Sequence, residues 1–168
     1  MGFRQLSLLP NQLARINKFM RAHEFLTELA DKPAEFTTTI DDDYYEMSAP
    51  DVGLTLYLTR GLSHTLENDE VHIEFAVNGQ YKLTGGGNAI KVFSTVLAML
   101  KSSLNKFIEP GDHFVSFGAE KSEPSRVKLY AKRAVPKVTE ILQSVDPKWK
   151  FMPYNSFGSL EIYAWERK

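Results

Sequence analysis

The chain of 168 residues contains no cysteine, which excludes disulfide frameworks, thiolate-bound metals, cysteine nucleophiles and thiol redox chemistry together. It has almost no net charge: 20 lysines and arginines face 21 aspartates and glutamates. No global field would therefore hold it on nucleic acid or on an anionic membrane. No apolar run approaches the roughly 18 residues of a membrane span. Met1 to Pro10 is too short and polar for a signal-peptide core. The expectation is a soluble chain of the intracellular kind, neither secreted nor membrane-bound. The four histidines (His23, His64, His72, His113) have no metal-ligand spacing, and Asp41 to Asp43 lacks the glycine and terminal glutamate of a calcium loop. No metal site is expected. Walker, G-x-G-x-x-G and G-x-S-x-G patterns are missing as well, so ATP sites, dinucleotide sites and serine hydrolysis have no footing.

What is there suits one α+β domain, since 43% hydrophobic content can fill a single sizeable core. Residues 1–33 read as an N-terminal helical segment: Leu13, Ile16, Phe19, Met20, Phe25, Leu26 and Leu29 recur at steps of three and four. Residues 34–168 read as the domain itself. Glu35 to Ile40 and Val52 to Thr59 have strand character, separated by an acidic run. Val71 to Val77 and Tyr81 to Thr84 flank Asn78-Gly79, the pair that best suits a two-residue hairpin turn because both positions need positive φ. Ala89 to Asn105 is amphipathic, with Ile90, Phe93, Val96, Leu97, Leu100 and Leu104 on one face. His113 to Ala119 follows as a strand. Pro124 to Ser144 is a second helix, which Pro136 is expected to kink or divide, with a break near Arg133 to Pro136. Trp149 to Tyr154 and Leu160 to Trp165, joined by Asn155 to Ser159, read as a terminal hairpin. The sheet expected is mixed and mostly antiparallel, flanked by helices.

Four features carry chemistry, each with a plain structural alternative. Gly85, Gly86, Gly87, Asn88 and Ala89 sit at a strand-to-helix junction, where free backbone N–H groups and the helix dipole suit a phosphate; a tight turn needs glycine equally. Tyr130 lies one helical turn from Arg126, so its hydroxyl could serve as a general acid; a core tyrosine with its hydroxyl at the rim reads the same way. Glu74 shares a strand face with His72 and Ala76, as a general base or as part of a solvated face. Lys121, Arg126, Lys128, Lys132, Arg133 and Lys137 make the second helix basic, as a phosphate-contacting patch or as an ordinary solvated surface. No specific nucleic-acid signal accompanies them.

From Val71 onward, the order of hairpin, Gly-rich turn, helix, strand, tyrosine-bearing helix and hairpin resembles the GNAT acetyltransferases. That resemblance implies an acetyl-CoA site. Gly85, Gly86, Gly87, Asn88 and Ala89 would hold its pyrophosphate, Glu74 would accept a proton from an amine, and Tyr130 would protonate the leaving thiolate. Thr84-Gly85-Gly86-Gly87-Asn88-Ala89-Ile90-Lys91-Val92-Phe93, Phe117-Gly118-Ala119 and Ser125-Arg126-Val127-Lys128-Leu129-Tyr130 also resemble a group of uncharacterised tailed-bacteriophage proteins. Leu26-Thr27-Glu28 fits the Leu-x-Glu pattern cut by phage prohead proteases, and Met20 stands as an alternative start. Two functions stay open: amine acetylation, or a non-catalytic role bound to a virion or host protein through Asp41 to Tyr45 or the basic helix. Either places the chain in the host cytoplasm or the virion.

Overall fold

Leu54 to Thr59 alternates leucine with threonine and tyrosine, the period of two that gives a strand one buried face. In the computed structural model Leu54, Leu56 and Leu58 are buried, while Thr55, Tyr57 and Thr59 are half-exposed. The structure describes residues 32–41, 44–61, 70–80, 89–152 and 155–168. The expected N-terminal helix, the strand Tyr81 to Thr84 and the residues Gly85 to Asn88 lie outside them.

The elements are β1 (Thr37–Asp41), β2 (Tyr44–Ala49), a 3-10 turn (Pro50–Val52), β3 (Leu54–Arg60), β4 (Glu70–Val77), α1 (Ala89–Phe107), β5 (Phe114–Glu120), α2 (Pro124–Leu129), a π-helical turn (Tyr130–Ala134), α3 (Val135–Val145), β6 (Trp149–Phe151), β7 (Asn155–Phe157) and β8 (Leu160–Arg167). The strands make one sheet in the order β1-β2-β3-β4-β5-β8-β6, with β7 also paired to β8. Among the described strands only β4 and β5 run parallel. All other neighbours are antiparallel. The fold is thus α+β with a mixed, mostly antiparallel sheet, as the sequence pattern implies.

The turn after β4 is built as its sequence requires. Asn78 and Gly79 both have positive φ, 52° and 70°, and Val77 and Gln80 exchange backbone hydrogen bonds of 2.8 and 3.0 Å. Gly53, also left-handed at φ 62°, packs against this turn and accepts the Asn78 N–H at 2.7 Å. A Cβ at Gly53 would stand 2.0 Å from Asn78 Oδ1, so close approach and backbone conformation both demand glycine there.

α1 and α3 pack on each other against the buried face of the sheet. The buried stripe of α1 runs through Val92, Val96, Met99 and Leu104. Ile90, expected on it, is 54% exposed. The apolar arc of this helix is wide, and the sheet covers the part centred on Val92 and Val96. Arg60 anchors the far end of α1: it grips buried Asp112 with two contacts of 3.1 Å and donates to Phe107 O at 2.6 Å. That last bond satisfies a carbonyl otherwise left open at a helix C-terminus.

Pro136 does not break the second helical segment. Helical backbone continues from Pro124 to Val145, with a π turn in which the Val135 N–H reaches Tyr130 O. Widening the turn just ahead of Pro136 places the proline in the first turn of α3, where its missing N–H costs little. Tyr130, Ala134, Val138 and Leu142, a stride of four, are all buried. Such a stride drifts by about 40° per step in an ideal α-helix, and the wider turn takes up part of that drift. The C-terminal hairpin is also more elaborate than expected. Its supposed connector supplies β7, and both β6 and β7 pair with β8.

Candidate functional site

β3 and β4 stay paired from Leu54↔Val77 to Arg60↔Val71, and β5 and β8 from Phe114↔Glu166 to Glu120↔Leu160. Between these two ladders, β4 and β5 meet only at Glu70↔Phe114, Val71↔Val115 and His72↔Ser116. Each strand then follows its outer partner, and the sheet divides. A cavity of about 470 Å³ fills the fork, within the usual range for small-molecule sites. Consecutive residues of both strands, His72 to Phe75 and Phe117 to Glu120, line it. Because neighbours on a strand point to opposite faces, side chains from both faces of the sheet border the cavity. On the helix side Phe93, Val96, Leu97 and Leu100 of α1 close it with apolar surface.

Tyr130 enters from the first residue of the π turn. It is 2% exposed and packs edge-on against Phe117 at 5.2 Å, with Phe75 and Tyr163 within 6.2 Å. Arg126 Nε donates to the Tyr130 oxygen at 2.9 Å, and Arg126 Nη1 pairs with Glu123 at 3.0 Å. The same guanidinium lies over the Phe75 and Tyr130 rings at 5.4 and 5.3 Å, a cation–π arrangement. Burial pushes the Tyr130 phenol up to about 12, against the opposing pull of Arg126. Tyr130 therefore keeps its proton throughout the neutral range. Since Arg126 already donates to the oxygen, the phenolic proton is directed elsewhere.

At the vertex of the fork stands a second polar group. Ser116 Oγ donates to Glu70 Oε1, and His72 Nδ1 lies 3.1 Å from the same Ser116 Oγ. Glu70 and Ser116 are 3% and 2% exposed, while His72 is half-buried and lines the cavity. Parallel pairing creates this trio by setting His72 directly opposite Ser116.

Both side chains singled out in the sequence as acid and base, Tyr130 and Glu74, line the same cavity. Glu74 is exposed. Ala89 is the first residue of α1, and Gly85 to Asn88 lie outside the described residues. Glu123 occupies the N-cap position of α2, but its side chain makes no cap hydrogen bond and holds Arg126 instead. The basic helix face is divided. Arg126 turns into the fork, Lys137 pairs with Glu140 at 2.8 Å, and Lys121 reaches Ser156 and Gly158 O at 3.0 and 2.8 Å. The trio Glu70, His72 and Ser116 escaped sequence reasoning. Glu70-x-His72 on one strand face is a visible hint, but its partner lies 44 residues away from His72.

Among the described residues no three His, Asp or Glu side chains gather as a metal site, and no helix is long and apolar enough to cross a membrane. No protein-family model and no curated protein matches the chain.

Proposed function

We propose that the chain is a GNAT-like acyltransferase that moves an acetyl group from acetyl-CoA to an amine. The observation that carries this reading is the fork between β4 and β5 with Tyr130 held at its helix side. A thioester end placed there would lie between an apolar wall supplied by α1 and a polar side lined by His72, Glu74 and Glu120. From Ile73 to Ala76, β4 has β3 on one side and the fork on the other, so its backbone can bond an extended, amide-bearing arm. The cavity has room for the acyl end of such a molecule, and the resemblance gives the pyrophosphate to Gly85, Gly86, Gly87, Asn88 and Ala89.

Acetyl-CoA would supply an acetyl group already activated as a thioester. The residues of the fork orient that group, exclude water and manage two protons. An amine nitrogen attacks the carbonyl carbon, a C–N bond forms and the C–S bond breaks. Tyr130, still protonated because burial raises its pKa to about 12, donates its hydrogen bond to the departing sulfur. The amine must lose a proton to the other side of the fork.

Titration calorimetry with acetyl-CoA tests the reading. Micromolar binding by the wild type, lost in Gly86→Glu, supports it. A folded wild type that does not bind acetyl-CoA removes it and turns the search to a virion or host protein partner.

A further inference from the structure

Hydrogen-bond bookkeeping at the vertex fixes the chemistry of His72. A serine hydroxyl has one proton, and Ser116 gives its own to Glu70 Oε1. Toward His72 Nδ1, 3.1 Å away, the Ser116 oxygen can then act only as acceptor. Nδ1 must carry the hydrogen. In the neutral ring the lone pair is left on Nε2. Glu70, through a serine that is itself 2% exposed, thus sets the tautomer of a histidine that lines the cavity.

We infer that His72 is the proton acceptor of the fork, with Ser116 and Glu70 as its positioning residues. This rests on the acyl-transfer reading above. The amine arrives as an ammonium and gives one proton to Nε2, which leaves a neutral nucleophile and an imidazolium. The new positive charge is stabilised along Nδ1–H to Ser116 and from Ser116 to Glu70. Among the described residues, the charged and titratable groups around it include Glu70 and Glu74 on its own strand, Glu120 at the end of β5, and Glu123, Arg126 and Tyr130 across the cavity. β3 presents the uncharged Thr59 opposite His72 and Tyr57 opposite Glu74. Three of these carboxylates, Glu74, Glu120 and Glu123, line the cavity and favour a cationic acceptor over an anionic one. Glu74, exposed at that opening, attracts the ammonium, while His72 lies deeper, beside the vertex. Ser116 is too deeply buried to act as a nucleophile itself.

Two measurements test the assignment. Nitrogen NMR of the histidine ring in the folded wild type reports the tautomer directly: Nδ1–H is expected, with a shift toward the Nε2–H form in Ser116→Ala and in Glu70→Gln. An Nε2–H tautomer in the wild type overturns the proposal. The second is turnover with acetyl-CoA and three amine probes: a lysine peptide, a peptide with a free N-terminus, and spermidine. His72→Gln should lower kcat by about 10²–10⁴-fold, with acetyl-CoA affinity within about twofold of wild type. It should also remove the acidic limb of the pH profile. Ser116→Ala should retain that limb but displace it, with kcat down about tenfold. Unchanged kcat and pH profile in His72→Gln overturn the proposal. Failure of the wild type to bind acetyl-CoA would instead remove the transferase reading, and the tautomer measurement keeps the two failures apart.

Discussion

The two sides of the sheet differ in how their strands end. From β1 to β4 each strand is paired with its neighbour along its length, and Met47, Leu54, Leu56 and Leu58 are fully buried beneath. Between β4 and β5 the same kind of strand keeps three pairs and then lets go. A continuous ladder spends all its backbone groups on itself, whereas a divided one exposes backbone and side chains to a ligand. Stability should concentrate on the first side and chemistry on the second.

The largest effect should come from the continuous side. Leu56→Ala deletes a fully buried side chain and should cost about 2–5 kcal/mol in urea unfolding, with no specific loss of acetyl-CoA affinity in the fraction that remains folded. In the fork, Tyr130→Phe should do the reverse. Turnover should fall by about 10²–10³-fold, while stability changes by only about 1 kcal/mol, the usual worth of one hydrogen bond. If both variants lose stability and turnover in proportion, the division of labour is wrong.

Alkaline titration sharpens the contrast. The Tyr130 phenol is raised to about 12 by burial, so the unfolded chain gives up this proton first. The contribution is complete below pH 10 and is lost as pH rises from 10 toward 12. Tyr130→Phe should flatten that decline by roughly 2 kcal/mol. On the continuous side Tyr44 also rises to about 12, chiefly through its hydrogen bond to Glu46. It titrates in both proteins, so the difference between them isolates Tyr130.

Two glycines give the smallest test. Gly53→Ala forces a left-handed backbone and a Cβ 2.0 Å from Asn78 Oδ1, and should cost about 1–2 kcal/mol. Gly118→Ala in the fork meets only Glu161 O, at 3.7 Å. Thermal unfolding should place it within about 1 kcal/mol of wild type.

Legibility in the sequence follows the same line. Local patterns read well: the leucines of β3, the Asn78-Gly79 turn and the amphipathic α1 each depend on neighbours a few residues away. β2 was hidden by the acidic run before it, although Tyr45, Met47 and Ala49 alternate with polar residues as a strand should. Pro136 suggested a break because a wide turn leaves no mark that a proline rule can see. The site was half legible. Tyr130 beside Arg126 follows from helical spacing, whereas the fork and the trio at its vertex arise from parallel pairing between β4 and β5, which lie on either side of α1. No local pattern encodes where two such strands part.

The π turn gives the second helical segment one residue more than an α-helix would use, and the wider turn absorbs that surplus within itself. Deleting exposed Ala131 would let the Val135 N–H meet Tyr130 O across an ordinary α turn, with Tyr130 seven residues before Val138 and eleven before Leu142. Those spacings keep all three within about 20° of one face. A single lost codon would then leave Tyr130 on the buried side of the segment, so the direction of this tyrosine is buffered against a change in residue count.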